Sequence, residues 1–221
     1  MTLRDIFIRN PNEDAKVVKE YGWERVHLVL TENWTKLIGL NFLYLLCCIP
    51  IVTIPAATCA MHRVVLNWVR ESSFDSVVPA FFGEFKVNFL KRTVFGLLLM
   101  LTPFSLTYYP MLFGLDGGTV AVMCLTLFAY FCITKYFYPL VVLLDVSLWE
   151  NFKNACSMAI LEWRTTGRLL LSAGILDLLL LVLTHYAVPL YIIILCAFNC
   201  LLGCAFVNYP FMKYFEPEKL N

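Results

Sequence analysis

Three stretches of this chain, residues 37–61, 93–115 and 186–212, contain no charged side chain. Each exceeds the roughly 20 apolar residues that a helix needs to cross the ~30 Å hydrocarbon core of a bilayer. Two further runs, 117–144 and 169–184, hold one charge each, Lys135 and Asp177. The chain is 60% hydrophobic and 15% charged, with a mean hydropathy of +0.74. A soluble domain is nearer about half apolar and a quarter charged. In lipid the backbone must satisfy its own polar groups, so runs of this kind span as helices. The expectation is an all-α, polytopic integral membrane protein.

Residues 1–33 carry five Lys/Arg and six Asp/Glu, with no apolar core ahead of a cleavage site. They read as a retained polar N-terminal segment, followed by one transmembrane domain (34–212) and a short tail (213–221). A net charge of +1 gives no reason to expect a nucleic-acid partner. The nine cysteines lie in apolar runs or on an apolar helix face, which is not the pattern of a disulfide framework. Cys196, Cys200 and Cys204 recur every four residues and share one helix face. No His or carboxylate accompanies them in sequence, so small packing residues are the plainer reading.

Lys and Arg concentrate on cytoplasmic segments. Residues 56–92 hold five of them and residues 145–168 hold three, whereas the connections at 115–118 and 184–189 hold none. These segments share a side with the N-terminus only if the chain turns back at "PIVTIP". Proline removes a donor and restricts the residue before it, so Pro50 and Pro55, with Thr53 between them, make a break. A first helix over about 34–49 then rises and a second over about 56–70 returns. The result is five long spans plus a Pro-broken returning arm, a six-helix bundle of three hairpins with both termini cytoplasmic. His62 and Arg63 fall halfway along the returning arm. Three readings stay open: a pair buried at a polar centre, a re-entrant arm with Arg63 reaching the headgroups, or a single first span that breaks the charge rule.

Two amphipathic helices are predicted on the cytoplasmic side, over about 76–91 and 147–164. In the first, Val78, Phe81, Phe82, Phe85 and Phe89 share a face, with Glu84, Lys86, Asn88 and Lys91 off it. In the second, Leu148, Phe152, Ala155, Cys156, Ala159, Ile160 and Trp163 do the same. Ser147 with Glu150 reads as a capping box. Both stripes carry a Phe-Lys pair, Phe85-Lys86 and Phe152-Lys153, which makes these helices candidate docking surfaces.

The segments "NFLYLLCCIPIVTIPAATCAMHRVV", "FFGEFKVNFLKRTVFGLLL" and "YPLVVLLDVSLWENFKNACSMAI" resemble the YesL family, a domain of unknown function found mainly in Gram-positive bacteria. The likeness runs from about residue 15 to 212, with Pro50, Thr53, Pro55, Asp145 and Lys153 at recognisable positions. Ile54 departs from it, standing where a glycine is expected. The resemblance implies a small multipass protein of the bacterial cell membrane, in the genomic company of carbohydrate-uptake ABC transporters and polysaccharide-degrading enzymes. It implies no catalysis.

The residues agree with that. No H-E-x-x-H, G-x-S-x-G, Walker or C-x-x-C motif is present, so no enzyme activity and no cofactor are expected. The isolated intramembrane polar residues are Arg63, Lys135 and Asp177, and Asp177 needs a partner or a proton. Two functions follow. One is a non-enzymatic accessory or scaffolding component that associates with permease subunits of a sugar ABC importer. The other is an independent carrier or channel lined by Arg63, Lys135 and Asp177. Oligomeric state is not legible.

Overall fold

The two prolines set the architecture. The computed structural model describes residues 22–71, 76–114, 116–182 and 194–216, without the side chains of residues 71, 104, 107 and 175–182. Helix α1 (Trp23–Cys47) ends just before Pro50, a 3-10 turn covers Ile51–Thr53, and α2 (Ile54–Glu71) begins at once. Pro50 is extended (φ −77°, ψ 116°), whereas Pro55 lies in the first turn of α2, where its missing N–H costs nothing. The Thr53 hydroxyl lies 2.5 Å from the Cys47 carbonyl and 2.6 Å from that of Pro50. It therefore sits against the Cys47 carbonyl, one of those that the end of α1 leaves open.

The chain reverses here. Tyr44 near the end of α1 meets Thr58 near the start of α2, O to O 3.4 Å. At the other end Arg25 donates from Nε to the Val69 carbonyl (3.0 Å) and from Nη2 to the Trp68 carbonyl (2.5 Å). The two helices thus form an antiparallel hairpin, with a buried guanidinium capping α2. Residues 23–33, part of the polar leading segment by composition, are helical. The start expected at 34 coincides with a kink at Asn33 (φ −138°, ψ 28°).

The returning helix is the centre of the bundle. α2 packs against α1, α3 (Val77–Lys86), α4 (Phe89–Phe113), α5 (Gly117–Leu143) and α8 (Cys196–Phe215). Ala56, Ala57 and Ala60 are fully buried on it, and small residues let neighbouring backbones approach. A close approach lies at Gly96 of α4, where an added Cβ would stand 2.3 Å from the Pro55 Cβ. α6 (Leu148–Leu161) and α7 (Trp163–Val182) complete the set; among the described residues there are eight α-helices, one 3-10 turn and no strand. The Ser147–Glu150 capping box forms as expected.

Beyond this bundle α4 and α5 continue as an exposed apolar pair, with Leu98 60% and Met111 83% exposed. At the far end Asp116 caps α5 by accepting from the Thr119 N–H at 2.7 Å. Helix Gly117–Leu143 is the one helix among the described residues long and apolar enough to cross a membrane, and only 11% of its most apolar window is buried.

Helices form at Val77–Lys86 and Leu148–Leu161, each ending before the expected 91 and 164, and each is turned from its expected stripe. On α3 the buried residues are Phe81 and Glu84, while Val78 and Phe82 are exposed. On α6 they are Asn151, Ala155 and Met158, while Ile160 and, at the start of α7, Trp163 are exposed. In each case a carboxylate paired by a distant cation goes inward. Glu84 is held at 2.7 Å by Arg92, both side chains nearly inaccessible. Glu162, at the break between α6 and α7, accepts from Lys213 at 2.6 Å and from the Tyr214 hydroxyl at 2.9 Å.

Candidate functional site

The His-Arg pair on α2 divides. His62 is buried and Arg63 is half-buried, because adjacent residues on a helix point about 100° apart. His62 Nδ1 lies 2.8 Å from the Thr58 carbonyl. A carbonyl oxygen only accepts, so Nδ1 carries the proton and Nε2 is left as the acceptor nitrogen. Tyr138 of α5 stacks on the ring, centroids 5.6 Å apart.

Across from His62 lie Cys200 and Cys204 of α8, both buried. Their sulfurs are 4.0 Å apart, and one ring nitrogen and the two sulfurs all lie within 4.8 Å of one another. The cysteine spacing was legible in the sequence. The histidine that joins it was not, since it arrives from the central hairpin through tertiary packing. Cys196 is half-buried and outside this trio.

Lys135 is half-buried on α5, with its aliphatic stem against Gly203 of α8. Asp177 falls on α7 but its side chain lies outside the described residues, and so does any pairing with Arg63 or Lys135. Asp145 is exposed at the rim of a cavity of about 120 Å³ between the starts of α4 and α6, shared with Asn88, Lys91, Arg92, Ser147 and Asn151. The Phe-Lys pairs separate as amphipathicity requires. Phe85 stacks on Phe81 and meets the tilted Phe89 ring, and Phe152 joins Phe95, Phe137 and Trp149. Lys86 and Lys153 are exposed.

Charge pairing gathers at one end of the bundle. Arg70 at the end of α2 bonds Glu216 at the end of α8 at 2.5 Å, and the Glu162–Lys213–Tyr214 group is at that same end of α8. Burial works to raise the Glu162 carboxyl, but the hydrogen bonds from Lys213 and Tyr214 outweigh it and hold it below the usual carboxylate range. Glu150 is also held low, by the Ser147 hydroxyl and N–H. The Ser147–Glu150 pair was legible as a capping box, whereas the Arg70–Glu216 and Glu162–Lys213 pairs were not, because they join residues far apart in sequence.

An all-helical bundle with a central returning hairpin, an exposed apolar helix pair and one ion-paired end is the class these observations define. Residues 37–109 match a family described as "Protein of unknown function, DUF624". That match takes in the second half of α1 from Leu37, the proline turn, α2, α3 and most of α4. No curated protein matches the chain, and no solved structure matches it.

Proposed function

We propose that this is a multipass protein of the bacterial cell membrane, with both termini cytoplasmic, that serves as a non-enzymatic accessory or scaffold of a carbohydrate ABC importer. What supports the membrane part is the exposed apolar surface of α4 and α5, continued by Ile49, Ile51 and Val52 at the hairpin tip. Monomeric soluble proteins rarely expose a contiguous apolar patch above a few hundred Å². Lipid around this surface satisfies it, and the ion-paired end with Arg70, Glu162, Lys213 and Glu216 then faces the cytoplasm. In this arrangement the α1–α2 hairpin enters from the cytoplasmic side and returns to it.

The accessory role is supported by the YesL resemblance and by the outward side of α6 and the start of α7. Trp149, Ile160, Leu161 and Trp163 are exposed there, with Lys153 over the Trp149 ring and Arg164 over the Trp163 ring, 5.7 and 5.5 Å to the centroids. Exposed aromatics beside cations suit a docking patch at the membrane edge, since Trp and Arg dominate interface energetics. The permease subunits of the importer are the partner this reading names.

Purification of the tagged protein from native membranes in mild detergent, with mass spectrometry, tests it. Stoichiometric recovery of sugar-importer permeases, lost in Trp149→Ala/Ile160→Ser, is the expected result. Reproducible recovery of the protein alone, together with sugar uptake by it in liposomes, overturns the accessory role in favour of an independent carrier.

A further inference from the structure

We propose that His62, Cys200 and Cys204 bind one divalent thiophilic metal ion of the zinc class, joining the central helix α2 to α8. The donor set fits that chemistry. Two thiolates and an imidazole are ligands that zinc takes at about 2.3 Å and 2.0 Å. Two sulfurs on one such ion stand about 3.8 Å apart in tetrahedral geometry and about 4.0 Å apart in trigonal geometry, from the same bond length. The sulfurs here are 4.0 Å apart, and the three donor atoms lie within 4.8 Å of one another. The sulfurs already stand at ligand spacing, and an approach of about 1 Å by the ring nitrogen closes the group onto an ion.

Two independent features prepare the site. Cys200 and Cys204 are one helical turn apart on the same face of α8, a spacing at which a pair of side chains converges on one ion. The His62 Nδ1–H is committed to the Thr58 carbonyl at 2.8 Å, which fixes the tautomer and frees Nε2. Metal-ligating histidines nearly always anchor the other ring nitrogen in this way. The Tyr138 ring stacked on His62 holds its plane.

Charge selects the ion. All three residues are buried, and a net charge in such surroundings is expensive. A dication with two thiolates and a neutral imidazole sums to zero, whereas a monovalent ion leaves one negative charge. On binding, two S–H protons leave to solvent and two metal–sulfur bonds and one metal–nitrogen bond form, with no change of oxidation state. Affinity therefore rises with pH as proton release becomes easier. Three protein ligands leave a fourth position for water or an outside donor.

The test uses the full-length protein in detergent, stripped with chelator and titrated with Co²⁺ alone. The expected result is about one Co²⁺ per chain with a thiolate-to-cobalt charge-transfer band, displaced by Zn²⁺. The band disappears in Cys200→Ser/Cys204→Ser and weakens in His62→Ala, but persists in Cys196→Ser. A monodisperse, helical wild-type protein that shows no such band overturns the proposal without reliance on any variant. A band that survives in the double cysteine variant overturns it as well. Neither outcome bears on whether the protein binds an importer.

Discussion

Gly96→Ala puts the close packing of the hairpin under α4 to a quantitative test. In an ordinary helix interior this change stabilises by about 1 kcal/mol, because glycine has more backbone freedom to lose. Here the new methyl meets the Pro55 ring at 2.3 Å from its Cβ and 2.7 Å from its Cγ. Neither side can yield cheaply, since the ring is rigid and both helices are packed. Overpacking costs about 1–3 kcal/mol, and an approach this close belongs at the upper end. Gly167 on α7 has nothing within 4 Å of its added Cβ, so Gly167→Ala gains the propensity term alone. The difference between the two variants isolates the clash at about 3 kcal/mol. For a chain of this size that separates their melting temperatures by about 6–12 °C. Thermal unfolding of both variants in the same detergent reads it, and Pro55→Ala should recover part of the loss in the Gly96→Ala background. Equal melting temperatures for the two variants would refute the close approach of α4 to the hairpin.

Glu84→Gln should cost about 3–5 kcal/mol by leaving Arg92 buried without its partner, while Glu84→Leu/Arg92→Met together should be near neutral, as chemical denaturation of both would show. Arg25→Met should cost about 3 kcal/mol by orphaning the last carbonyls of α2, with fast hydrogen exchange at its C-terminal turn as the local sign. Glu162 is held below the ordinary carboxylate range, so its pairing contributes fully above that range and is lost as pH falls through its lowered folded value. An acid titration of melting temperature should therefore show a flatter acid limb in Glu162→Gln than in the wild type.

The hairpin was legible because two kinds of residue agreed. Pro50 and Pro55 broke an apolar run, and the basic residues after it needed the side from which the chain had come. What the sequence could not show was that this arm would be the centre of the bundle. Ala56, Ala57 and Ala60 look unremarkable in a list, yet they let five helices crowd around α2. The capping box was legible because its two residues sit three apart. The inward faces of α3 and α6 were not, since Glu84 and Glu162 count as outward residues until Arg92 and Lys213 arrive to pair them. The same holds for His62, which meets Cys200 and Cys204 only in three dimensions. Local spacing is written in the chain, whereas pairing across helices is written only in the packing.

Single cysteines at the exposed positions Ser76, Asp116 and Lys153 in a cysteine-free background, probed with a membrane-impermeant maleimide, test the returning hairpin most directly. Asp116 should label in intact cells, and Ser76 and Lys153 only once the inner face is opened. Labelling of Ser76 in intact cells, with Asp116 reached only once the inner face is opened, would mean that the chain crosses once at the prolines and would contradict the returning hairpin.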